Sequence, residues 1–106
     1  MKKLLKLMPE YECFPIWEGR EGENIDPATL PISAGLRKRI EKWDSEYQAT
    51  YDRNDPIDSN FESPEAEQAF DKTGQQLWRD LQAELGEQYQ VTYFSVLTGT
   101  LLGSHT

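Results

Sequence analysis

One stretch, Ser63–Gly86, limits what this chain can fold into more than any other, because start signal, periodicity and stop signal all agree on a helix. Ser63 offers a side-chain oxygen to an orphan backbone N–H, Pro64 has its φ pre-set for the first helical position, and Glu65 and Glu67 favour the positive helix end. Ala66, Phe70, Gly74, Leu77, Leu81 and Leu85 then fall on one stripe of a 3.6-residue helix, and Gly86 supplies a left-handed cap. Burying Phe70 and the leucines contributes roughly 1.5–3 kcal/mol each, far more than local propensity, so this helix needs a partner surface.

Ile32–Tyr51 carries the matching pattern, with Ile32, Leu36, Ile40, Trp43, Tyr47 and Tyr51 on one stripe and Ser33 as its cap. Two stripes of equal length joined by about a dozen residues pack most simply as an antiparallel hairpin. Gly74, without a side chain, lets Trp43 or Tyr47 approach its backbone.

The terminal segments read as extended. Lys3–Met8 alternates faces until Pro9, and Tyr89–Leu97 is the strongest strand, with Tyr89, Val91 and Tyr93 opposite Gln90, Thr92 and Phe94. Pro15 interrupts the aromatic run Tyr11–Glu18 and makes it an edge or an irregular extended segment. Gly19–Pro31 holds two glycines and two prolines and reads as a loop. The expected fold is α+β: a two-helix antiparallel hairpin on a small antiparallel sheet made by the N- and C-terminal segments. Residues 1–106 form one domain, with 98–106 as a frayed tail, a further short strand through Leu101–Leu102, or a cloning remnant.

Charge narrows the partners. Nineteen acids against eleven bases give a net charge of −8, concentrated in two blocks, Glu10–Asp26 and Asp52–Asp71. Such a field repels nucleic acid and anionic membrane and steers a basic protein inward, although acidity also simply keeps a chain dispersed. The basic cluster Arg37–Lys38–Arg39 reads as a solvated helix face pairing with Glu41 and Glu46. The apolar run in Met1–Met8 is too short for a signal-peptide core and no stretch approaches a membrane span, so the expected location is the cytoplasm.

Reaction chemistry finds little to stand on. The lone His105 lies at the chain end, Cys13 has acids rather than cations beside it, and no glycine-rich phosphate loop is present. Asp52, Asp55 and Asp58 invite comparison with a calcium loop, but Pro56, Ile57 and Ser63 stand where that loop requires a ligand, a glycine and a glutamate. No enzyme activity, metal or cofactor is expected.

Taken together, CFPIW (Cys13–Trp17), NIDPATLPIS (Asn24–Ser33), Trp43 with Tyr47, DPIDSNFESPE (Asp55–Glu65) and ELGEQYQVTYF (Glu84–Phe94) resemble a group of small uncharacterised bacterial proteins of about this length. No catalytic motif is known for that group, so the resemblance transfers no site residues. In type, a small acidic domain of this kind is similar to the immunity proteins of contact-dependent growth inhibition and related polymorphic toxin systems, which bind and neutralise a cognate toxin domain, often a nuclease. That likeness implies a protein partner met by acidic side chains standing in for phosphates. Asp55, Asp58, Glu62, Glu65, Glu67 and Asp71 are the expected contacts, with Glu18, Glu21 and Glu23 second. The alternative is a cytosolic adaptor that docks through the aromatic segment Phe14–Trp17, with Trp17 as its anchor.

Overall fold

Residues 2–51 and 61–103 are described by a computed structural model, in which the two ends of the chain pair into one five-stranded sheet. Its strands are β1 (Lys3–Leu7), β2 (Ile16–Glu18), β3 (Asn24–Ile25), β4 (Tyr89–Ser95) and β5 (Thr100–Leu102), in the order β3-β2-β1-β4-β5. Two helices, α1 (Ala34–Gln48) and α2 (Pro64–Leu85), complete the α+β fold.

Alternation along the strands builds the core. Ile25, Ile16, Leu7, Tyr93 and Leu102 pair in unbroken register across all five strands, and Leu5 pairs with Val91 in the row beside them. These side chains meet the stripes of both helices, and Leu36, Ile40, Trp43, Phe70, Leu77, Leu81 and Leu85 are buried against them. The helices run antiparallel: Ser33 at the start of α1 reaches Glu84 at the end of α2, while Trp43 stacks on Phe70 near the start of α2 with centroids 4.6 Å apart.

One strand relationship departs from expectation. β1 and β4 pair in parallel, so the sheet is mixed rather than wholly antiparallel. The helical hairpin explains this, because α2 returns the chain to the end of the sheet where β1 begins, and Lys3 pairs with Tyr89 there. Helix α1 is also shorter than its apolar stripe: the Ser33 hydroxyl caps it by accepting from Leu36 N, and Thr50 closes its end by donating to the Tyr47 carbonyl. Within Gly19–Pro31 the chain adds the short β3 and a 3-10 turn, Pro27–Thr29, capped by Asp26. Thr100–Leu102 takes the strand alternative.

Gly74 allows the closest approach in the core. A Cβ there would meet the Tyr93 hydroxyl and lie 2.7 Å from Trp43, so the partners are Trp43 and Tyr93 rather than Tyr47.

Candidate interaction surface

Among the described residues, the predicted acids other than Asp71 divide between opposite ends of the domain. Glu62 and Glu65 are exposed at the start of α2, where Ser63 Oγ accepts from Ala66 N at 3.1 Å and Pro64 occupies the first turn. Glu67 is half-buried one turn further on. Asp55 and Asp58 lie outside the described residues. Glu21 and Glu23 are exposed on the β2–β3 turn, next to the start of β1, where Gly19 N donates to the Leu4 carbonyl. Half-buried Glu18 organises that turn: its carboxylate accepts from Glu21 N and Arg20 N, and these bonds hold its pKa below the ordinary value.

Asp71 does not join either group. It is 3% exposed and faces β4, accepting from the hydroxyls of Tyr93 and Ser95, so its place as a surface contact is corrected to an internal hydrogen-bonding post. Its position on the helix explains this. Asp71, Gln75, Trp78 and Gln82 follow spacings of four, three and four and flank the apolar stripe on the side facing β4. Trp78 Nε1 donates to the Val91 carbonyl at 2.7 Å, and Gln82 both accepts from Val91 N and donates to the Tyr89 carbonyl. Polar ends on this flank therefore satisfy the part of the β4 edge that β5 does not reach. Those spacings were the available signal, and polarity hid it.

The aromatic segment is divided too. Trp17 lies half-buried on the face of the sheet opposite Ile16, with its indole N–H donating to the Met8 carbonyl at 2.9 Å, whereas Phe14 is 46% exposed. Arg39 of the basic cluster pairs across the hairpin with Asp80 at 2.7 Å rather than along α1 with Glu41 or Glu46. That bond, with help from Gln76, holds the Asp80 pKa low.

The α2 start shares its end of the molecule with the end of α1 and the loop before β2. Tyr11 stacks between Tyr47 and Tyr51 with centroids 4.6 and 4.7 Å away, and its hydroxyl meets Thr50 Oγ1 at 2.6 Å. Gln48 pins the loop from below by donating to the Glu10 carbonyl and accepting from Glu12 N. Burial, then the neighbouring Tyr11 and Glu10, push the Tyr47 pKa well up, and burial raises that of Asp44 against the opposing bond from Gln48. Phe61 packs on Phe70 at 5.0 Å, as a residue stapling the incoming chain onto α2 should.

Among the described residues, no three His, Cys, Asp or Glu side chains gather as a group able to hold a metal ion, and no helix is long and apolar enough to cross a membrane. The family model described as Serratia CdiI immunity protein-like matches residues 3–96. No curated protein matches the sequence.

Proposed function

The chain belongs to the Serratia CdiI immunity protein-like family, and on that premise we propose that it is a cytoplasmic immunity protein that binds a cognate basic toxin domain. The family match over nearly the whole chain is the observation that carries this reading. In it the partner is a nuclease, and the immunity protein neutralises it by covering the active site or the substrate groove, without catalysing a reaction of its own.

Electrostatics supply the mechanism. A nuclease groove holds phosphates with lysines and arginines, and carboxylates on a rigid scaffold compete for the same cations. Glu62 and Glu65 stand exposed on a capped helix start, which fixes their backbone before binding and lowers the ordering cost of association. The proposed contacts are Glu62, Glu65, Asp55 and Asp58, with Glu67 at their margin. Glu18, Glu21 and Glu23 form a second set at the far end of the domain. The net charge of −8 adds long-range steering.

Co-expression provides the test. The toxin domain is sought at the C-terminus of a large secreted protein encoded beside this chain, and cells making that domain should survive only when the wild-type chain is present. Continued death with the folded chain in excess would end the immunity reading. The adaptor alternative draws support from the exposure of Phe14 and places its anchor there rather than at Trp17.

A further inference from the structure

Where the last turn of α1 faces the first turns of α2, the hairpin leaves a cleft of about 620 Å³. Small side chains make it: Ala66 and Ala69 on α2 cannot fill the space between the helices, and Phe61 and Phe70 form the aromatic part of its lining. Two exposed carboxylates, Glu46 and Glu62, belong to the same cleft. Neither makes an ion pair among the described residues.

An apolar wall joined to two carboxylates selects its occupant. A purely apolar side chain would desolvate the acids without a partner, and an anion would be repelled. A side chain with an aliphatic stem and a cationic head satisfies both parts. Arginine fits better than lysine, because its planar fork engages carboxylates through paired N–H donors and packs on aromatic rings.

We propose that this cleft is a receptor for an arginine side chain presented by the protein partner. The identity of that partner rests on the immunity reading, since a surface built to hold nucleic acid carries such arginines. The cleft's chemistry does not depend on it.

Alanine methyl resonances provide the readout, with N-acetyl-arginine N-methylamide as the probe. Saturable shifts are expected at Ala49, Ala66 and Ala69, which line the cleft, and not at Ala28, Ala34 or Ala83. The neutral citrulline analogue should leave all six unmoved, and the lysine analogue should bind more weakly. Glu62→Gln and Glu46→Gln should each weaken arginine binding about tenfold, as loss of a charge-assisted hydrogen bond does. Absence of shifts, equal shifts from citrulline, or indifference to both substitutions would overturn the assignment. The two readings fail separately. Protection of cells without arginine shifts removes only the cleft, whereas arginine shifts without protection remove only the immunity function.

Discussion

The Tyr93 hydroxyl donates to Asp71 Oδ1 at 2.8 Å, and that bond joins β4 to α2 inside the core. Ser95 donates to the same oxygen at 2.8 Å, and Gln75 Nε2 donates to Oδ2 at 2.9 Å. A carboxylate so deeply buried is tolerated because each of its oxygens has a donor.

Removing the acceptor should therefore hurt more than removing one donor. Asp71→Ala removes the carboxylate acceptor of two buried hydroxyl donors, although Ser95 Oγ still accepts from Thr98 N, and should cost about 2–6 kcal/mol, whereas Tyr93→Phe leaves Ser95 and Gln75 in place and should cost about 1–3 kcal/mol. Urea unfolding midpoints measure both. The double substitution should fall short of the sum, because the two residues share one bond.

Gly74→Ala tests how tightly the helices and sheet meet. Alanine is the better helix former by about 1 kcal/mol. Its Cβ would nonetheless collide with the Tyr93 hydroxyl and Trp43, both fully buried. Overpacking of this kind costs about 1–3 kcal/mol, so a net loss of thermal stability is expected. A higher melting temperature would mean that the core yields at this point.

Glu18 gives the β2–β3 turn a pH dependence. Its pKa is lower in the folded protein than the ordinary 4.5, because backbone N–H groups of Glu21 and Arg20 bind the charged form. Folding therefore favours the deprotonated carboxylate. Its contribution is complete above the ordinary value and disappears as pH falls through the folded pKa. Carboxyl-carbon NMR titration should place the Glu18 midpoint below 4.5, with loss of the turn's amide protection following the same curve.

Phe14 and Trp17 separate the two binding readings. Trp17→Ala should lower stability by about 1–3 kcal/mol, less than for a fully buried tryptophan. Phe14→Ser should leave both stability and toxin capture unchanged. Loss of toxin capture in Phe14→Ser would move the contact to the aromatic segment.

Much of the scaffold was legible because single residues marked it. Ser63, Pro64 and Gly86 bound α2, and five of its six stripe residues are buried, with Ala66 only partly so. The parallel β1–β4 pairing was less legible, since strand direction depends on where the second helix ends and alternation within a strand does not record it. Asp71 is hidden in the sequence for a different reason. Charge suggests solvent, and only its register with Gln75, Trp78 and Gln82 reveals the polar flank that holds β4. The acidic surface divides because neighbours in sequence part in space: Glu10 and Glu12 stay beside Gln48 at the end of α1, whereas Glu21 and Glu23 turn out at the far end of β2, and composition cannot record this.

In the proposed complex, carboxylates at the start of α2 capture a cationic toxin surface. Titrating the purified toxin domain with this chain at increasing salt measures this capture directly. Affinity should fall steadily with ionic strength, and Glu62→Ala with Glu65→Ala should weaken binding at low salt and flatten that dependence. Affinity indifferent to salt and to both substitutions would contradict it.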